Sequence, residues 1–155
     1  MLIYYFTDID FPFGAAEPRL LGALPELDVL AEGAYRDGEA RRARLGVEVA
    51  RVQVPAFVRL AVGMPAKGPG RLTIPLSWTA EGPSALFPEM DADLMLATLG
   101  PDASQLSLRG SYTPPMGAVG RALDRMLMHR VAESSVKGFV DRIAESINAG
   151  VMRAG

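Results

Sequence analysis

The side chains able to do chemistry in this chain are few, and their spacing assigns each a narrow range of uses. Arg130 projects, at 100° per residue, close to the direction of Leu123 and Leu127. A cation on an apolar stripe can anchor a ligand carboxylate or phosphate. It can equally snorkel, or pair with Glu133 or Asp124. His129 is the sole histidine and falls in line with Arg125 and Glu133. As a general base it would need a substrate within hydrogen-bond reach, and a packed or surface histidine is the plainer reading. Asp91 and Asp93 alternate onto one face of a strand, where they can hold a hard cation or simply face water. There is no cysteine, which excludes disulfides, thiolate nucleophiles and thiolate metal sites. No Ser/His/Asp arrangement is supported by spacing, and no catalytic residue, metal or cofactor is expected.

A second group of residues suits binding better than catalysis. Trp78 and Tyr112 fall on alternating apolar faces of two strands, Trp78 as a flat wall and Tyr112 as a hydroxyl. Met90, Met116 and Met126 can give an adaptable lining, since methionine reshapes at low cost. Leu94, Leu108, Leu123 and Leu127 complete an apolar set around them. The same residues can serve as ordinary core.

The elements that must position these groups follow from hydrophobic period. Residues 2–10 read as a first strand, broken by Pro12 and Gly14. Residues 15–30 read as two short helices, interrupted by Pro18, Gly22 and Pro25. Residues 33–46 form a polar, arginine-rich connector. Alternation then sets in over 52–62, 72–78, 90–96 and 106–112, with even-numbered residues apolar in every segment. The earlier Val47 and Val49 are out of phase, which a bulge near residues 50–51 repairs. Pro65 to Gly70 reads as a turn, and Pro75 marks an edge strand or a distorted ladder. Short turns between successive strands predict an antiparallel sheet. A helix then runs from Thr113–Pro114 to about Ile147, roughly 50 Å of rod at 1.5 Å per residue.

That helix carries two apolar stripes. Met116, Val119, Leu123, Leu127 and Val131 make one; Val136, Phe139, Val140, Ile143 and Ile147 make the other. They lie about 200° apart. The first is expected to cover the sheet. The second is expected to meet another surface, either the amino-terminal segment or a second subunit, unless the helix bends near Ser134–Ser135.

Composition narrows the partners. At 155 residues a single domain, 1–155, is expected. A formal net charge of −2 argues against general affinity for nucleic acid or an anionic membrane surface. No apolar run approaches the ~20 residues that span a bilayer, and the first strand has no basic region ahead of it, so a cytoplasmic location is expected.

The order strand, two short helices, antiparallel strands, long terminal helix resembles the SRPBCC superfamily, the START-like or polyketide cyclase-like helix-grip fold. Leu76-Ser77-Trp78, Leu86-Phe87-Pro88, the run 108–115 and the segment from Leu123-Asp124 to His129-Arg130-Val131-Ala132 are similar to phrases in bacterial members. The resemblance implies an α+β fold, a curved antiparallel sheet wrapped around a long C-terminal helix. It also implies a cavity between sheet and helix for a small hydrophobic or amphipathic ligand, lipid- or polyketide-like. In that frame Trp78, Met90, Leu94, Leu108, Tyr112, Met116, Leu123, Leu127 and Arg130 are the ligand-binding candidates. A cyclase- or dehydratase-like enzyme and a ligand-free protein-interaction module are the other readings. The helix leaves a homodimer open as the assembly.

Overall fold

A computed structural model describes residues 2–31, 33–34, 57–81, 89–113 and 125–153. The chain opens with strand β1 (Leu2–Ile9) and helix α1 (Phe13–Ala23). A 3-10 turn, Leu24–Glu26, leads into helical residues 27–31 and 33–34, here α2. Strands β2 (Phe57–Val62), β3 (Ala66–Gly68), β4 (Arg71–Glu81), β5 (Glu89–Thr98) and β6 (Ser104–Thr113) follow. Helix α3 (Arg125–Arg153) comes last.

The strands form one antiparallel sheet in the order β1-β6-β5-β4-β2, with β3 also on β4. The break between α1 and α2 falls at Pro25, where proline starts the 3-10 turn. Pro18 and Gly22 lie in or beside an unbroken α1 and do not divide it. The expected turn at 65–70 holds a short strand instead, since Ala66–Gly68 pairs with Arg71–Thr73. Its tight reversal places Gly70 at φ 62°, a conformation glycine adopts without steric cost.

Pro75 lies in the sheet interior and not at an edge. Its carbonyl accepts a 2.7 Å hydrogen bond from the Gly63 N–H, in the gap where β2 ends and β3 has not begun. In an antiparallel strand the N and O of one residue point to the same side. The donor that proline lacks is therefore missing where the neighbouring strand is already interrupted. The ladder to β5 keeps its pairing through Pro75↔Asp93.

The even-numbered residues 72–78 of β4, 90–96 of β5 and 104–112 of β6 face inward. So do Ile3, Tyr5, Thr7 and Ile9 of β1, through the pairs Ile3↔Gly110, Tyr5↔Leu108, Thr7↔Leu106 and Ile9↔Ser104. Helix α3 lies against this face, packing on β1, β6 and α1. The stripe that packs is Val136, Phe139, Val140, Ile143 and Ile147, all buried. The second stripe thus meets the amino-terminal elements and the sheet of its own chain. The apolar pattern that suggested a second subunit at these positions is covered from within. Residues 116–124 of the first stripe lie outside the described residues, as do the side chains of 125–131. The same is true of the expected bulge near residues 50–51. Helix α3 runs on to Arg153, past the expected end at Ile147.

Two polar ties hold α3 in place. The Tyr5 hydroxyl donates to Asp141 Oδ1 at 2.7 Å, and Lys137 Nζ reaches Asp141 Oδ2 at 3.1 Å. Burial and the neighbouring carboxylate hold the Tyr5 hydroxyl above its ordinary pKa. The Asp141 hydrogen bond does the same for Lys137. Among the described residues no helix is long and apolar enough to cross a membrane.

Candidate functional site

The concave face can be read as rows of side chains running across the sheet, because the register aligns them. Leu72, Leu96 and Leu106 form one row, and Ile74, Leu94 and Leu108 the next. All six are fully buried. This end of the face is filled core, and two of the expected ligand contacts, Leu94 and Leu108, belong to it.

The following rows differ. Leu76, Ala92 and Gly110 align with Ile3, and then Trp78, Met90 and Tyr112 align with Leu60. Here side chains shrink to a methyl and a hydrogen at Ala92 and Gly110. Gly110 has no room for more: a Cβ there would lie 2.9 Å from Ala92 Cβ and 3.2 Å from Met90 Cγ. Exposure in these rows is 5–8% at Leu76, Met90, Ala92 and Leu60 and 1% at Trp78 and Tyr112. Both ends of the concave face are therefore buried, and the second combines large aromatic side chains with the smallest ones.

Three sequence-derived candidates, Trp78, Met90 and Tyr112, meet in one row at this second end. Helix α3 reaches the same row. The Phe139 ring meets the Trp78 indole edge-on, with centroids 5.3 Å apart and planes at 74°. Burial raises the Tyr112 pKa, and the charge of Glu133 raises it further. Tyr112 is accordingly a protonated hydroxyl at neutral pH. Ser135 lies on α3 between Glu133 and Phe139; its hydroxyl is buried and has no hydrogen-bond partner among the described residues. Such an unmet hydroxyl costs roughly 1–3 kcal/mol.

Met116 and Leu123 lie outside the described residues, as do the side chains of Leu127, His129 and Arg130. The site gains residues that sequence reasoning did not single out: Leu60, Leu76, Ala92, Gly110, Ser135 and Phe139. Leu76 and Leu60 were visible as inward apolar positions. Ala92 and Gly110 gave no signal, because smallness matters only once their neighbours are known. Asp91 and Asp93 point away from the concave face, and Asp91 accepts a 2.9 Å hydrogen bond from the Ser77 hydroxyl. Among the described residues no cluster of metal-ligating side chains occurs.

A curved antiparallel sheet closed by a long terminal helix, with two helices after the first strand, is a helix-grip fold. The chain is similar in structure to the Zhui aromatase/cyclase from Streptomyces sp. R1128, with a TM-score of 0.52, 13% identity, and coverage of 100% of this chain and 98% of that one. It is likewise similar to a conserved protein from Geobacillus kaustophilus, with a TM-score of 0.53, 10% identity, and coverage of 96% and 95%. No protein-family model matches the chain, and no curated protein matches it in sequence.

Proposed function

We propose that this chain, acting as one helix-grip unit, binds a small apolar or amphipathic molecule between the sheet and α3. The site is the end of the concave face bounded by Leu60, Leu76, Trp78, Met90, Ala92 and Tyr112. One observation supports this reading: Trp78, Met90 and Tyr112 gather in one row beneath α3, beside a row whose side chains shrink at Ala92 and Gly110. The walls are apolar, so an apolar guest gains about 25 cal/mol for each Å² it removes from water. A Tyr112 hydroxyl turned to a polar end would favour an amphipathic guest over a pure hydrocarbon.

The experiment uses the chain's only tryptophan, which stands in the proposed site. Titration with 1-decanol should change Trp78 emission saturably, and native mass spectrometry of the purified protein should show a bound small molecule. An emission that stays flat across alcohols, fatty acids and flat polycyclic ketones, with no co-purified species, overturns the proposal.

A second reading, a polyketide cyclase- or dehydratase-like enzyme, draws support from the aromatase/cyclase neighbour, which aligns with the whole chain. The Tyr112 hydroxyl, kept protonated, would act there as a general acid or a hydrogen-bond donor to a carbonyl. Tyr112→Phe separates the two. A binder keeps most of its affinity, whereas an enzyme loses turnover while still binding. A ligand-free interaction module is the outcome if neither binding nor turnover is found.

A further inference from the structure

Strand β1 ends one side of the described sheet. It pairs with β6, and among the described residues no strand pairs with its other edge. Edge strands are usually blunted by charge, proline, a bulge or brevity, because a bare edge invites another strand. From Leu2 to Thr7, β1 carries none of these. Its pairing with β6 runs without a bulge from Leu2 to Ile9, and its one charged side chain is Asp8. Its outward residues Leu2, Tyr4 and Phe6 are 69%, 58% and 50% exposed. Outward positions on an antiparallel sheet with one solvated face are normally polar. An exposed apolar row of this kind marks contact with a partner.

The strand is its own complement about Tyr4. In an antiparallel pair, opposite residues either both exchange hydrogen bonds or both do not, and the two kinds alternate along the strand. A strand paired with its own copy about a two-fold axis is therefore centred on a residue. Centring on Ile3 carries Phe6 past the partner's strand, and centring on Tyr5 sets Asp8 against Leu2. Centring on Tyr4 sets Tyr4 against Tyr4 and, on either side, Leu2 against Phe6. Every outward apolar side chain then meets another, as cross-strand pairs prefer.

This register also keeps like charges apart. The two Asp8 residues end up about 27 Å apart along the joined strands. Asp91 and Asp93 stand on β5 and Arg109 on β6. Counted across the strands, the Arg109 pair is separated by about 14 Å and the β5 carboxylates by about 24 Å. All of these gaps exceed the screening length of about 8 Å at physiological salt.

We propose that two copies of this chain join through β1, edge to edge and antiparallel about an axis at Tyr4, so that the sheet runs on from one subunit into the other. One paired strand per subunit is a small contact, so the dimer should form as concentration rises and dissociate on dilution.

Light scattering of the full chain should show the mass climbing from one chain toward two with concentration. Tyr4→Lys sets like charges against each other on the axis and should weaken the dimer by about 10-fold or more. Tyr4 is solvent-facing, and circular dichroism checks that the fold is kept. The chain has no cysteine, so single cysteines report the register. Opposite residues have Cα atoms about 4.5 or 5.5 Å apart, within the ~4.4–6.8 Å that a disulfide spans. Tyr4→Cys should cross-link two chains on mild oxidation. Leu2→Cys, about 14 Å from its counterpart, should not. A wild type that stays monomeric at its highest soluble concentration overturns the proposal. So does a dimer that Tyr4→Lys leaves intact, or a Leu2→Cys variant that cross-links as readily as Tyr4→Cys. A monomer that binds zwitterionic vesicles, and loses that binding in Tyr4→Lys, assigns the row to lipid and overturns it as well.

Discussion

Gly110 and Ala92 stand directly opposite each other on β6 and β5, so close that a Cβ on the glycine would lie 2.9 Å from the alanine methyl. Gly110→Ala must therefore push the strands or Met90 aside. Overpacking of this kind costs about 1–3 kcal/mol. Urea denaturation should show a lower midpoint at unchanged slope. The same methyl intrudes on the row of the concave face that carries Trp78, Met90 and Tyr112, so affinity for 1-decanol should fall alongside stability. A variant as stable as the parent would mean that the two strands part freely and that the glycine does not shape the site.

Phe139 links the terminal helix to the middle of the sheet through its edge contact with Trp78. Phe139→Ala removes that contact and leaves a cavity beneath α3, at a cost of about 3–5 kcal/mol. Trp78 emission should move to the red as water reaches the indole. Phe139→Leu fills most of the space and should lose far less. If the alanine variant unfolds outright, the leucine variant still reports the contact through a smaller shift in the same direction.

The sheet was legible in the sequence because alternation is a local signal. Strand β5 spans Glu89–Thr98, matching the expected apolar-polar alternation from Met90 to Leu96, and β6 needed only small extensions. The two stripes of the terminal helix were legible too, but their order of importance was not. Periodicity says that Phe139 and Ile143 share a face, and it is silent on what that face meets. The partner is β1 and α1, more than a hundred residues away in the chain. Pro75 is a similar case, since an interior proline is explained only by the gap between β2 and β3 opposite it. For the site, the large candidates Trp78, Met90 and Tyr112 came from the pattern. The small residues packed beside them, Ala92 and Gly110, carry no periodic signature.

The tie between Tyr5, Asp141 and Lys137 gives the protein a defined alkaline response. Both Tyr5 and Lys137 have pKa values raised above their ordinary 10.0 and 10.5. A group raised on folding contributes stability that is fully present below its unfolded pKa and lost as pH rises through its folded one. The melting temperature should accordingly hold up to about pH 10 and fall beyond it. Tyr5→Phe should flatten part of that fall while costing little at pH 7, because a half-exposed pair is worth only about 0–1 kcal/mol. A fall of the same size in Tyr5→Phe would place the alkaline sensitivity elsewhere.

Ser135 offers the opposite sign of change. Its buried hydroxyl lacks a partner among the described residues, and alanine is the better helix former. Ser135→Ala should raise stability by about 1 kcal/mol or more. If the hydroxyl serves a guest's polar end, the same variant should bind 1-decanol less tightly than the parent. Stability gained together with affinity lost marks a group kept for binding. Gain without loss marks a tolerated defect of packing.

Ile143 and Ile147 decide between a helix spent on its own sheet and one reserved for another subunit. Both are buried within one chain. An aspartate at Ile143 would place an unpaired carboxylate among Val140, Ile147 and the elements packed on α3. That burial is compatible with folding only if the acid is neutralised or the helix lifts away. The expected result for Ile143→Asp is a loss of more than about 3 kcal/mol, with subunit mass unchanged in whatever fraction stays folded. Ile143→Val should cost about 0.5–1.5 kcal/mol and keep the same mass. A folded aspartate variant of parental stability but half the parental mass would return this stripe to an interface between subunits. It would also remove the clamp that the concave site depends on.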